Sequence, residues 1–196
     1  KNMLSLKNSL AVLKRTNALL EGHFILSSGL HSTNYIQCAK LLSFPNLANK
    51  ICKSLSIKIN KNFKKIDLII SPAIGGIVIG YEIGRLLNKE TIFCERVKKK
   101  FKLRRGFKIK KNSKVLIIED VITTGKSSLE CSKLIKKAKA HIVGYACLID
   151  RSNKKKLKIK KKIVSQVKID IPTYTKSNLP KNLKSIPILK PGTRFI

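Results

Sequence analysis

The chain has 196 residues, 43% of them hydrophobic, and sets 43 lysines and arginines against ten aspartates and glutamates for a formal net charge of +33. That length and apolar content allow one well-buried domain and argue against global disorder; with no 18-residue apolar stretch and no charged-then-apolar leader, neither a membrane span nor a secretory signal is expected, and the cytoplasm is. The charge attracts polyanions, but it is nearly all lysine, with arginine at only seven positions and aromatics at 6%, so a specific nucleic-acid reader, which needs arginine forks and stacking rings, is not expected.

In chain order, Leu4 to Leu20 has apolar residues at 6, 10, 13 and 20 with lysines between, which predicts an amphipathic helix. Glu21 to Leu26 reads as a short strand, Ser27 to Ser32 as a polar turn and Asn34 to Cys38 as a second strand. Leu47 to Leu55 is the next helix. A repeating unit comes after it: strand Leu68–Ile70, glycine loop, helix Val78–Leu87, strand Thr91–Phe93, then strand Val115–Ile118, loop and helix Ser127–Ala138, with strand Ile142–Ile149 closing the set. Strands alternating with helices predict an α/β fold with a central, mostly parallel sheet and right-handed crossovers. Val164 to Ile171 reads as a last strand, and Pro172, Pro180, Pro187 and Pro191 break up regular structure in the C-terminal tail. The run Lys154–Lys156, with Lys158 and Lys160–Lys162, reads as a solvated face. The organisation is an N-terminal element over residues 1–45, an α/β core over 46–171 and a tail over 172–196 that packs on one or the other.

The lysines fall in every surface segment rather than on one helix, which suits compositional drift with weak, nonspecific attraction for RNA or DNA. Cys38, Cys52, Cys94, Cys131 and Cys147 form no CxxC pair and make no ligand cluster with His23, His31 and His141. Reduced thiols are expected, not a zinc site or a disulfide framework.

The most informative stretch is Val115 to Ser128. A continuous apolar run suits a strand covered on both faces, and it leads into Glu119 and Asp120, then a loop of hydroxyls around one glycine. Gly125 permits positive φ, so successive amides can turn toward one anion, and the helix that begins near Ser127 adds the positive end of its dipole. A phosphate fits the loop while the two carboxylates face the sugar that carries it. Gly125-Lys126-Ser127 lacks the earlier glycine of a Walker A loop. A second loop, Ser71-Pro72-Ala73-Ile74-Gly75-Gly76, lets backbone approach an anion closely, though paired glycines also serve tight helix–strand packing. The basic segment Glu95 to Gly106 holds Arg96, Arg104 and Arg105, three of the seven arginines. It reads either as a solvated hairpin or as a lid that closes cations over an anion and excludes water.

The acidic pair and its loop resemble the phosphoribosyl-pyrophosphate (PRPP) signature of type I phosphoribosyltransferases. Gly22 to Ser32 with Tyr35-Ile36-Gln37, Ser71 to Gly76, Leu103-Arg104-Arg105-Gly106-Phe107 and Leu148-Ile149-Asp150-Arg151 resemble the orotate branch of that family. They stand in the family's order across residues 22 to 151. Where some members carry lysine, this chain has Ser27 and Gly75, as in another branch.

The resemblance implies the type I fold with an N-terminal hood, and transfer of the PRPP ribose 5-phosphate to orotate in pyrimidine synthesis. It implies that Glu119 and Asp120 hold the ribose hydroxyls, with Arg104 and Arg105 of the lid acting beside them in catalysis. Val121 and Ile122 would contact PRPP, Thr123, Thr124, Gly125, Lys126 and Ser127 would bind its 5-phosphate, and Ala73, Gly75, Gly76, Arg96, Lys98, Arg104 and Arg105 the pyrophosphate. Tyr35, Ile36, Thr123 and Arg151 would contact orotate, the guanidinium gripping its carboxylate. Mg²⁺ is the implied cofactor, held by no protein side chain alone, and a homodimer with a shared lid is the implied assembly. The alternatives are transfer to another base, or a PRPP-fold regulatory protein that binds RNA.

Overall fold

A computed structural model describes residues 3–26, 28–153 and 157–191; Ser27 and Lys154–Lys156 therefore lie outside the described residues. The first helix, α1 (Leu6–Arg15), is shorter than the apolar spacing predicts. Ser5 caps it by accepting from the Asn8 amide at 3.1 Å, and Asn17 at φ 55° turns the chain out of it. Strands β1 (Leu19–Ile25) and β2 (His31–Ile36) pair antiparallel. A short helix α2 (Cys38–Leu42) comes next, then α3 (Pro45–Asn62), opened by a proline in its first turn.

The core alternates as expected: β3 (Leu68–Pro72), α4 (Gly75–Leu87), β4 (Glu90–Val97), β5 (Lys100–Lys102), β6 (Lys114–Ile122), α5 (Lys126–Lys137), β7 (His141–Asp150) and β8 (Ile163–Lys168). The tail adds β9 (Thr173–Tyr174), α6 (Lys181–Lys184) and β10 (Ile188–Leu189). Two sheets result, ordered β10-β1-β2-β9 and β5-β4-β3-β6-β7-β8. In the larger sheet β4, β3, β6, β7 and β8 run parallel, and only β5 is antiparallel, at an edge. The tail's prolines do not keep it from the sheets: β10 and β9 flank β1 and β2.

Strand alternation divides the core in two. Ile69, Leu116, Ile118 and Leu148 pack with Leu13, Ile51, Leu55, Ile79 and Ile83 from α1, α3 and α4. Their neighbours Leu68, Ile70, Val115 and Ile117 face Cys131 and Ile135 of α5. Both faces are therefore covered, which accounts for the unbroken apolar runs of these strands.

Gly144 on β7 shows how closely α3 is drawn to the sheet: a Cβ there would strike the Phe63 ring and lie 3.0 Å from the Lys162 carbonyl. We predict that Gly144→Ala costs about 1–3 kcal/mol through overpacking. The check is thermal unfolding, in which roughly 2–4 °C is lost per kcal/mol.

Candidate active site

From β3 the chain crosses to β4 on one side and later returns to β6 on the other, so the strand order reverses between β3 and β6. Ligands in such sheets bind outside the carboxyl ends of the strands at that reversal. A cleft of about 1030 Å³ opens there, walled by Pro72–Gly75 at the end of β3 on one side and by Glu119–Ser128, from the end of β6 into α5, on the other.

The carboxylates lie inside β6, which runs four residues past Ile118 because Glu119, Val121 and Ile122 pair with Cys147, Ile149 and Asp150 of β7. Consecutive strand residues face opposite sides, so Glu119 and Asp120 diverge. Glu119, 7% exposed, points under α5 and accepts from the Ser128 hydroxyl at 3.2 Å. Asp120 points toward α4, where a Cβ on Gly75 would lie 2.6 Å from its Oδ2. Gly75 is thus required by close approach. The Asp120 Oδ1 accepts from the Val121 amide at 2.8 Å, and the Cys38 thiol of α2 donates to the Asp120 carbonyl at 3.9 Å, tying the N-terminal element to this strand.

Burial, then the Asp120 charge, push the Glu119 carboxyl up to about 8, against the pull of Ser128 and Arg96. Burial also raises Asp120, opposed by backbone N–H groups. Two adjacent buried carboxylates resist ionising together.

The loop after them is built for an anion. Gly125 sits at φ 73° as the N-cap of α5, with Ile159 packed where a side chain would be. Thr123, Thr124 and Lys126 are exposed, and among the described residues the hydroxyls of Thr123, Thr124 and Ser127 donate to no protein group. On the opposite wall Gly75 and Gly76 are the first residues of α4 rather than part of a preceding loop, so their amides have no intrahelical acceptor. Ala73 differs: its N–H is spent on the Cys94 carbonyl at 2.8 Å.

The basic segment is an ordered hairpin of β4 and β5, turned by Lys98 and Lys99 at φ 47° and 65°. Its arginines are already paired. Arg96 meets Glu130 at 2.7 Å, donates to the Lys99 carbonyl and stacks 4.2 Å above Phe101. Arg105 donates to Glu95 at 2.7 Å, with Arg104 at 3.8 Å from the same carboxylate. Arg96 and Arg105 line the cleft; Lys98, Arg104 and Arg151 stand outside its lining, as does Gly76.

Arg151 comes directly after β7, its amide bonded to the Ile122 carbonyl at 3.0 Å, which places it beside Thr123. Asp150, almost fully buried, accepts from the Ser152 amide at 2.9 Å and fixes that turn. Burial lowers the Arg151 pKa, and among the described residues its guanidinium has no side-chain partner. Tyr35 and Ile36 lie apart from the cleft lining: Tyr35 packs 5.8 Å from Phe24, and Ile36 packs against the core. Gln37, Ile77, Phe93 and Glu95 do line it. Of these, Phe93 and Ile77 look in the sequence like ordinary apolar periodicity, so no local signal marks them.

Residues 41–177 match the family described as phosphoribosyl transferase domain. The chain is 46% identical to the orotate phosphoribosyltransferase of Parvibaculum lavamentivorans, covering 93% of this chain and 94% of that protein. It is 45% identical to the orotate phosphoribosyltransferase of Caldicellulosiruptor bescii, covering 93% and 95%. The chain belongs to the orotate phosphoribosyltransferase family. The fold agrees: the crystal structure of orotate phosphoribosyltransferase from Aeropyrum pernix aligns with a TM-score of 0.65 over 81% of this chain and 92% of that one, at 21% identity.

In this member of the orotate phosphoribosyltransferases the buried acid has a pH signature. Because the folded Glu119 pKa lies above its ordinary 4.5, its contribution to stability is complete below about 4.5 and is lost as pH rises through about 8. Glu119→Gln is therefore expected to raise Tm near pH 9 and to leave it almost unchanged at pH 5. Equal shifts at both pH values would contradict a titrating Glu119.

Proposed function

We propose that this chain transfers the ribose 5-phosphate group of PRPP to orotate, giving orotidine 5′-monophosphate and pyrophosphate. The observation that carries the reading is the convergence, in one cleft, of the Glu119–Asp120 pair, an uncommitted hydroxyl loop at a helix start and the glycine wall facing it. The 5-phosphate would take the Thr123–Ser127 loop and the α5 dipole. The ribose hydroxyls would meet Asp120 and Glu119, and the pyrophosphate the first-turn amides of Gly75 and Gly76.

The bond from the ribose anomeric carbon to pyrophosphate oxygen breaks, its electron pair leaving on pyrophosphate, while an orotate ring nitrogen, having lost its proton to solvent, supplies the pair for the new bond. Positive charge grows on the sugar between these events, and the negative potential of Asp120 would stabilise it. No covalent nucleophile is required. Arg96 and Arg105 would exchange Glu130 and Glu95 for pyrophosphate oxygens, so leaving-group stabilisation is coupled to opening two ion pairs. Arg151, half-buried and without a side-chain partner among the described residues, stands beside Thr123 and suits the orotate carboxylate.

Among the described residues no group of three or more His, Cys, Asp or Glu could hold a metal ion. Mg²⁺ needs only one or two carboxylates beside substrate phosphates, so the acid pair fits a metal that enters on PRPP. When bound, it would neutralise pyrophosphate charge.

We read the assembly as a homodimer. Ile74, Val78 and Tyr81 succeed one another along α4 at helical spacing and are 85%, 52% and 68% exposed, an apolar stripe suited to a second copy. No helix among the described residues is long and apolar enough to cross a membrane, and five buried, unpaired cysteines suit a reducing cytoplasm.

The direct test is an absorbance assay with PRPP, Mg²⁺ and orotate, uracil, hypoxanthine or adenine in turn. Consumption of orotate alone is expected, and consumption of another base, or of none, would overturn the reading. Arg151→Ala should raise KM for orotate about 10- to 100-fold, as loss of a charged hydrogen-bonding partner worth 1.5–3 kcal/mol implies, with KM for PRPP changed by less than about twofold. Equal losses for both substrates would remove Arg151 from the base pocket.

A further inference from the structure

The fold gathers charge that the sequence scatters. All five parallel strands are entered through lysines: Lys64 and Lys65 before β3, Lys89 before β4, and Lys110 and Lys111 before β6, which begins at Lys114. Lys136, Lys137 and Lys139 precede β7, and Lys160, Lys161 and Lys162 precede β8. All twelve are exposed. Hydrogen bonds between backbones join these segments: Asp67 to Lys114, Asn112 to Lys139, His141 to Ser113 and Tyr145 to Lys162. The carboxylates at this end are Asp67, which accepts from the Lys114 amide, and Glu90. The opposite, carboxyl end of the sheet holds Glu95, Glu119, Asp120, Glu130 and Asp150, half of the ten acids.

Structural reasons account for little of this concentration. Helices α3, α4 and α5 all end here, and each C-terminus carries about half a negative charge. Lysines near them compensate those dipoles, but one or two charges suffice where twelve are present. Adjacent strands lie about 4.8 Å apart, well inside a Debye length of roughly 8 Å at physiological salt, so the ammonium groups repel one another unless something anionic covers them. Arg85, nearby on α4, is committed to Glu82 at 2.8 Å. Of the exposed large aromatics, Phe44 lies on another element, while Tyr81 of α4 shares a shallow pocket with Arg85 and Lys89 at the edge of this face; most of the face presents point charge alone.

We propose that this floor of the sheet, opposite the active-site cleft, docks the phosphate backbone of single-stranded RNA without reading its sequence. A row of flexible point charges across about 19 Å of strand ends suits backbone neutralisation, and no helix or ribbon projects from it to enter a duplex groove. The binding is independent of transfer at the other end.

The test compares two variants. One replaces Lys64, Lys65, Lys110, Lys111, Lys137 and Lys139 with glutamine; the other replaces six exposed lysines elsewhere, Lys7, Lys50, Lys53, Lys176, Lys181 and Lys184. A labelled 20-nucleotide RNA of mixed sequence is titrated between 50 and 200 mM salt (about the range over which counterion release is read). The floor variant should bind at least about tenfold more weakly, and its slope of log K against log salt should shrink by about 0.7 for each phosphate it no longer neutralises. The control should stay within about twofold of the parent, and both variants should keep the parent's Tm and PRPP affinity. Equal weakening in both variants would overturn the proposal in favour of diffuse charge. Tighter binding of duplex DNA than of the single strand, or RNA ignored by the parent at 50 mM salt, would overturn it as well.

Discussion

The site depends on where β6 stops. Had the strand ended at Ile118, Glu119 and Asp120 would have been loop carboxylates with no fixed direction. Because β7 holds the strand straight to Ile122, alternation sends one carboxylate to each face of the sheet. Glu119 is stored under α5 on Ser128, while Asp120 is stored against Gly75 at the start of α4. Each acid thereby stands at the first turn of a helix, where backbone amides and the positive dipole end offset some of the cost of burying it. The two helices proposed to take phosphates are also the two that steady the acids, so the proposed anion and sugar sites would share a framework.

The substrate-free arrangement also balances charge locally. The arginines assigned to pyrophosphate are folded onto Glu95 and Glu130 rather than left in solvent. Surface ion pairs of this sort are worth little, so a ligand with several negative oxygens replaces them at small cost. In a chain of net charge +33, that pairing gives the cleft end a mixed character. The amino end of the same sheet carries nearly unopposed lysine. One fold thus presents two anion-attracting ends that differ in kind: a shaped one and a diffuse one.

Much of this was legible in the sequence where local rules govern. Unbroken apolar runs such as Val115–Ile118 marked doubly covered strands, and Gly125 marked the turn into α5. The limits of elements were less legible because pairing partners decide them: β6 and the hairpin at Lys98–Lys99 were extended by strands distant in sequence or by a turn of two lysines with positive φ. Tyr35 and Ile36 carry a family motif, yet here their side chains pack on Phe24 and the core, while Gln37 next to them lines the cleft. The lysine floor was invisible, since its members are separated by whole helices and meet only when five strands align.

Asp120, aimed across the β3–β6 reversal, is proposed to anchor the sugar of PRPP. Isothermal titration of PRPP with Mg²⁺ into the parent and into Asp120→Asn, without orotate, tests it most directly. Loss of a charged acceptor for ribose hydroxyls should weaken binding about 10- to 100-fold, corresponding to 1.5–3 kcal/mol. Affinity unchanged by a substitution that leaves the fold and Tm intact would contradict the claim.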